Sequence, residues 1–195
     1  MRNIFLFFIR ETKDWINFIL RNIPGKIGIN LRKGAYYFYA KKLNNVSIPV
    51  GFYFDSLKRV SFGKNVTIGV FCHFYSKGGS IKIEDNVAFN NNVVINSSIG
   101  GNINIGKNSL IGPNVIFRTA NHNFDDIKIP INKQDHNFGN IIIENNVWIG
   151  ANSIVLGNVK ICEGAIIGAG SVVNKDVDSF TIVAGVPAKI IRKRK

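Results

Sequence analysis

Between residues 143 and 173 an aliphatic residue returns at every sixth position: Ile143, Ile149, Val155, Ile161, Ile167 and Val173. Small or β-branched residues stand four places after the first five of them, as Val147, Ser153, Val159, Ala165 and Ser171. A helix would space its apolar residues three and four apart and a simple strand two apart, so a strict period of six fits neither. It fits a short flat strand, a corner and another strand, wound as a solenoid. Stacked turns then build an aliphatic column that no single hexad could bury alone. One aliphatic side chain per face is expected to point to the axis in each turn. Asn and Gly suit the corners, because both tolerate positive φ.

The same period runs upstream less regularly. It begins at Val50-Gly51 and at Phe62-Gly63, returns at Ile83, Phe89 and Ile95, and returns again at Ile105, Ile111 and Phe117. Three hexads make one turn of a three-sided prism, and the sets starting near 62, 83, 105, 143 and 161 predict about five coils. The largest interruption, 119–140, is polar and holds His122, Asp125, Asp126, Asp135 and His136. A solenoid gains nothing structural from such a loop, and long loops on rigid scaffolds carry function. Ahead of the repeats, apolar residues interleaved with charges predict a helix over 3–21, closed by Pro24-Gly25. A second helix is expected over 28–42, with Leu31, Ala35, Phe38 and Tyr39 on one side and Arg32, Lys33, Lys41 and Lys42 elsewhere. The predicted organisation is a helical segment over 1–44, a mainly β solenoid over 45–188 with a loop at 119–140, and a basic tail over 189–195.

Charge sharpens this division. The chain has 195 residues and a net charge of +13. Residues 1–44 hold nine Lys or Arg against Glu11 and Asp14, and 189–195 hold five with no acid, so the solenoid between is nearly neutral. Basicity therefore belongs to the two ends, and its partners are expected there. Aromatic and basic residues on amphipathic helices suit a membrane surface. The plainer reading, a cap over the open first coil, is preferred, since repeat arrays need their ends covered. The apolar run Ile4 to Ile9 is too short to span a bilayer and has no secretion-type cleavage site. Cys72 and Cys162 give no disulfide framework and read as reduced wall residues. A cytoplasmic protein is expected, with the inner face of the membrane as a second reading.

The stretch 143–173, continued by Asn174-Lys175-Asp176-Val177 and by Ile182-Val183-Ala184-Gly185-Val186-Pro187-Ala188-Lys189, resembles the hexapeptide-repeat acyltransferases. The closest group is the galactoside and maltose acetyltransferases and the O-acetyltransferases of bacterial surface polysaccharides. The resemblance covers roughly residues 50–192 by the repeat criterion. It implies a left-handed parallel β-helix, acetyl-CoA as donor, no metal, and a homotrimer with sites between neighbouring prisms. It implies that His122, at the root of the loop, is the general base, and that Asn92 contacts the acceptor or the reacting centre. Trp148 would line the acetyl-CoA tunnel, with Ala151, Gly168 and Ala169 along the pantetheine arm. Asn174 and Lys175 match a Thr-Lys pair, and Lys189 and Arg192 match basic residues near the nucleotide phosphates. An acidic residue of the family's acceptor site falls at Gly100 here. His136 and Asp125 are further substrate-binding candidates, and Asp125 and Asp126 candidates for orienting His122. His73 is expected to face outward, far from the loop.

The chemistry needs these types. A sugar hydroxyl is a poor nucleophile until a neutral imidazole takes its proton as it attacks the thioester, and the imidazolium then returns the proton to the departing thiolate. An amide donor suits a developing oxyanion, and Lys and Arg suit phosphates. The expected function is an O-acetyltransferase acting on a carbohydrate hydroxyl. An amino-sugar N-acetyltransferase or an antibiotic acetyltransferase would use the same scaffold. A zinc carbonic anhydrase of the γ type needs three histidines on neighbouring walls, and His122 and His136 share one loop without ligand-like spacing. A basic membrane or nucleic-acid scaffold is the non-enzymatic reading, although no nucleic-acid motif is present.

Overall fold

The computed structural model describes residues 2–37 and 46–195. Two helices, α1 (Arg2–Asn22) and α2 (Gly25–Tyr37), precede a three-sided prism of parallel strands. The second helix begins three residues earlier than expected, because Pro24-Gly25 opens it as well as closing the first. Phe38, Tyr39, Lys41 and Lys42, placed on it from the sequence, lie outside the described residues.

Each coil visits three faces in order. The first face stacks Val60–Phe62, Ser80–Ile83, Asn102–Ile105, Ile141–Ile143 and Val159–Ile161. The second stacks Thr67–Ile68, Ala88–Phe89, Leu110–Ile111, Trp148–Ile149, Ile166–Ile167 and Thr181–Ala184. The third stacks Tyr53–Phe54, His73–Tyr75, Val94–Asn96, Ile116–Arg118, Ile154–Leu156 and Val172–Val173. Five complete coils result, with partial turns at both ends. Pairing is in register: Ile116 faces Val94 on one side and Ile154 on the other.

The predicted column is the core. Ile143, Ile149, Val155, Ile161, Ile167 and Val173 are all buried. So are Val147, Ser153, Val159, Ala165 and Ser171. Each face therefore turns two side chains to the axis per coil rather than the single one expected, because residues two apart on a strand share a side. Inward serines are satisfied: Ser109 Oγ donates to Glu144 O, and Ser153 and Ser171 Oγ donate to Gly168 O. Cys72 faces inward, and burial pushes its thiol up to about 11, so it stays protonated.

Corners are set by asparagine. Asn65, Asn86, Asn92, Asn108, Asn114, Asn146, Asn152 and Asn158 all have φ between 55 and 62°. An L residue tolerates this conformation best when it is Asn or Asp. Several also bond up the stack, as Asn65 Nδ2 to Asn86 Oδ1, Asn86 Nδ2 to Asn108 Oδ1, and Asn114 Nδ2 to Asn152 Oδ1.

The ends close differently. At the start, Tyr36 of α2 meets Phe54 edge-on at 4.9 Å, and Phe52 meets Phe74 at 5.1 Å, so α2 covers the first coil as a cap. At the finish, Lys189–Lys193 turns back antiparallel on Thr181–Ala184. Residues 189–193 are thus an integral strand and not the loose tail expected, because the backbone of the last coil offers an open edge to pair with.

Candidate active site

The loop at 119–140 leaves the corner between the third and first faces. Its two arms form an antiparallel ribbon, Ala120–His122 against His136–Phe138, with His122 directly opposite His136. Both imidazoles fall on one side of the ribbon, with ring centroids 4.0 Å apart and planes tilted 41°. His122 is exposed and His136 half-buried. The ribbon root is tight: Thr119 is buried, its Oγ1 donates to Gly100 O, and Gly139 N donates to Thr119 O. A Cβ at Gly100 would lie 2.8 Å from the Phe138 ring. Gly100, where the family carries an acid, thus provides room for the ribbon. At the tip, Gln134 Nε2 donates to Asp126 O and Ile129 O.

Asp126 does not orient His122: its carboxylate accepts from Lys128 N and shapes a turn. Among the described residues, neither Asp125 nor Asp126 hydrogen-bonds the His122 ring. The ring packed against it is that of His136. His73 sits outward on the third face beside Tyr53 and Tyr75. Burial, then the nearby Arg21 cation, holds its imidazole below the ordinary histidine value. Among the described residues no three His, Cys, Asp or Glu side chains gather in metal-binding range.

The remaining candidates lie elsewhere on the prism. Trp148 projects outward from the second face, 52% exposed. It is in register with Leu110 below and Ile166 above, and Ile166 pairs on with Ile182 and so with Arg192. The second face thus carries an outward column that is apolar through its middle and ends on a cation. Leu110 and Ile166 were missed by sequence reasoning; the signal was there, since each immediately precedes an inward aliphatic residue as Trp148 does. Lys189 pairs with Ala184 on the edge strand of the same sheet.

Ala151, Gly168 and Ala169 follow at the corner between the second and third faces. Successive coils approach closely there: a Cβ at Gly150 would meet Ala169 N at 2.6 Å, and one at Gly168 would meet Ala184 Cβ at 2.8 Å. Close stacking alone requires Gly168, whereas Ala151 is half-buried and Ala169 exposed. Asn92 is at the same corner, two coils earlier, with φ 59°. The corner explains its residue type. Its side-chain amide has no partner among the described residues, unlike those of Asn114 and Asn152. Asn174 and Lys175 are exposed at the corner between the third and first faces, above the ribbon.

The structure thus gathers the candidates into two sets. His122, His136, Asp125, Asn174 and Lys175 lie along the edge between the third and first faces. Trp148, Ala151, Gly168, Ala169, Lys189, Arg192 and Asn92 lie on the second face and its far corner. In a triangular prism the second face is opposite the edge that carries the ribbon.

Residues 140–175 match the family described as bacterial transferase hexapeptide (six repeats). A putative acetyltransferase of Staphylococcus aureus strain COL is 36% identical over 155 residues, covering 77% of this chain and 63% of that protein. Matches to other curated relatives are local: with a chloramphenicol acetyltransferase of Klebsiella aerogenes, identity is 52% over 56 residues, 29% of this chain. The chain spans only about a quarter of the length of such relatives, 27% in that case. Among solved structures, a variant of the N-acyltransferase AntD from Bacillus cereus, in complex with dTDP-4-amino-4,6-dideoxyglucose and coenzyme A, superposes with TM-score 0.71 at 26% identity, over 84% of this chain and 89% of that one. A hexapeptide-repeat acetyltransferase of Vibrio cholerae O1 biovar eltor, complexed with acetyl coenzyme A, gives 0.61 at 26% identity, over 90% and 81%. Six-residue period, three-sided parallel coils and these likenesses agree: the chain carries the bacterial transferase hexapeptide repeat and has the left-handed β-helix of the hexapeptide-repeat acyltransferases that it resembles.

Proposed function

We propose that this protein transfers acetyl from acetyl-CoA to a hydroxyl of a carbohydrate, with His122 as general base, in a site completed by a second copy within a homotrimer. The observation that carries this reading is the division of the candidate residues between opposite sides of one prism. The ribbon presents the imidazole pair at one edge, while the apolar column of Leu110, Trp148 and Ile166 runs along the opposite face. Prisms packed side by side bring the edge of one against the flank of the next, and a threefold closes that heterologous contact into a ring.

In the proposed reaction the acceptor oxygen attacks the thioester carbonyl carbon as His122 takes its proton. The carbon–sulfur bond breaks from the tetrahedral adduct, and the imidazolium returns the proton to the CoA thiolate. No acyl-enzyme is required when both substrates are held together, because positioning supplies much of the rate. Asn92, with its free amide, is the candidate donor to the adduct oxyanion. Lys189 and Arg192 on the edge strand, with Asn174 and Lys175 of a neighbour, would face the CoA phosphates. His136 packs against His122 at a tilt and limits its rotation. Asp125 and the asparagines of the ribbon supply groups that suit sugar hydroxyls. The donor's occurrence inside cells supports a cytoplasmic site of action.

A second reading, N-acetylation of an amino sugar, is favoured by the likeness to AntD bound to an amino-sugar nucleotide. The same imidazole would take the proton of an attacking amine. Thiol release from acetyl-CoA, measured with hydroxyl-only sugars, amino sugars and chloramphenicol, separates the readings. Release with hydroxyl-only sugars, abolished in His122→Ala, is expected. Release restricted to amino sugars would replace O-transfer by N-transfer, and full activity in His122→Ala would remove His122 as base. Absence of both release and CoA binding would overturn the acetyltransferase reading and leave the scaffold reading.

A further inference from the structure

Helix α1 stands almost bare. From Leu6 to Ile16 every side chain is exposed, with Phe8 61% and Trp15 64% exposed. At 100° per residue, Phe8, Ile9, Trp15, Ile16 and Ile19 share an arc of about 120°. Arg10, Asp14 and Arg21 lie opposite, with the exposed Phe7 and Phe18 beside them. That arc is broad and aromatic, wider than the two-per-heptad seam by which helices pair with one another. At about 1.5 Å per residue the helix is roughly 31 Å long, yet no helix among the described residues is long and apolar enough to cross a membrane.

The base of this bare helix is fastened with unusual care. Arg32 of α2 is 0% exposed. Its Nη1 donates to Leu20 O and Ile23 O, the carbonyls at the end of α1, and its Nε donates to Ile48 O at the entrance to the solenoid. Gly28 makes room for it, since a Cβ there would lie 1.9 Å from Ile23 O and 2.9 Å from Arg32 Nη1. Gly51 N donates to Arg21 O, and the Arg21 guanidinium lies 5.2 Å over the Tyr53 ring. A buried guanidinium is costly unless its donors are met: Nε and Nη1 are met here, while Nη2 is buried with no partner among the described residues. That cost is borne at the foot of a helix whose own side chains touch almost nothing among the described residues. A fixed angle matters only if the helix meets something.

We propose that α1 is a membrane-surface anchor, laying its apolar arc into the headgroup region of an anionic bilayer, with the Gly28–Arg32 elbow setting its angle to the solenoid. Charge complementarity selects the partner. Helix α1 carries Arg2, Arg10, Lys13 and Arg21 against Glu11 and Asp14, and exposed Lys26 and Lys33 follow on α2. Aromatic side chains next to Lys and Arg suit the boundary between acyl chains and anionic headgroups. This inference does not depend on the acetyl-transfer reading.

The test is sedimentation of the full chain with vesicles of phosphatidylcholine alone or with added phosphatidylglycerol, at low and high salt. The protein is expected to pellet with the anionic vesicles and to be released by salt. Phe8→Glu with Trp15→Glu should lower partitioning roughly a hundredfold, since two large apolar side chains are withdrawn. Arg10→Glu with Lys13→Glu should lower it roughly tenfold or more. Both variants should keep the wild-type melting temperature and oligomeric mass. Wild-type protein left in the supernatant with both vesicles would overturn the proposal, as would variants that pellet like wild type. A variant that falls to a smaller oligomer would overturn it too, by showing that the arc is covered by a second copy.

Discussion

In the coil from Ile141 to Leu156 the inward residues Ile141, Ile143, Val147, Ile149, Ser153 and Val155 are buried, and each strand is paired on both sides. In the ribbon beside it, Asn121, His122, Asn137 and Phe138 are exposed, and each of its two strands has one partner. The coil repeats because only repetition buries its column. The ribbon is free to depart from the repeat because its backbone is paired within itself and its root is held by Thr119 and Gly139. Stability and chemistry therefore rest on different residues, and substitutions should separate them.

Phe117→Ala, deep in the third face, should cost about 3–5 kcal/mol of stability, read in denaturant unfolding. Activity measured well below the melting temperature should change little. His122→Ala should do the reverse. The rate of acetyl transfer should fall by about 10²–10⁴-fold, the usual worth of a general base, while the melting temperature stays within error. A His122 variant that unfolds early, or a Phe117 variant that is stable but inactive, would break the separation.

The elbow is an intermediate case, polar but structural. Arg32→Leu leaves three carbonyls without their donor and should cost about 3 kcal/mol. The loss should appear first as faster hydrogen exchange at the end of α1. Unchanged exchange there would mean that the guanidinium does not hold the helix. Within the ribbon, His136→Ala should lower kcat roughly tenfold with KM little altered, because the unsupported His122 ring samples unproductive rotamers. His136→Phe, which keeps a ring against His122 without its nitrogens, should recover most of that loss. If Phe fails to rescue, His136 acts through a nitrogen on the substrate rather than by packing.

What was legible in the sequence follows the same division. Ile143 to Val173 announced the solenoid because burial imposes one residue type at one period, and Asn at positive φ marked the corners for a steric reason equally local. The loop boundaries at 119 and 140 were legible as the place where the period stops. The packing of His122 against His136 was not, since fourteen positions separate two residues that only antiparallel pairing makes neighbours. The division of the candidate residues between an edge and the opposite face was hidden to spacing, because hexads on different faces look alike; only the resemblance, with its sites between neighbouring prisms, pointed to it. Arg32 was placed off the apolar side of the second helix. Only its contacts show that Gly28, four residues earlier, opens the space it fills.

The first face offers the finest comparison, because its outward side is charged where that of the second is apolar. Lys160 Nζ stands 2.7 Å from Glu144 Oε1, and Glu163 N donates to Glu144 Oε2. The lysine hydrogen bond, then that of the Glu163 amide, holds Glu144 below the ordinary glutamate value. A carboxyl depressed on folding contributes stability above its unfolded pKa and loses it as pH falls through the folded one. For Lys160 the same contact, with the charge of Glu144, raises the pKa, so its share is lost only as pH rises through the raised value. Lys160→Ala should therefore lower the melting temperature slightly at neutral pH, by an amount that fades as pH falls through the depressed Glu144 value. Both groups face solvent and salt screens such pairs, so the difference should shrink in high salt. A large, salt-resistant effect would mean that this outward face is covered in an assembly.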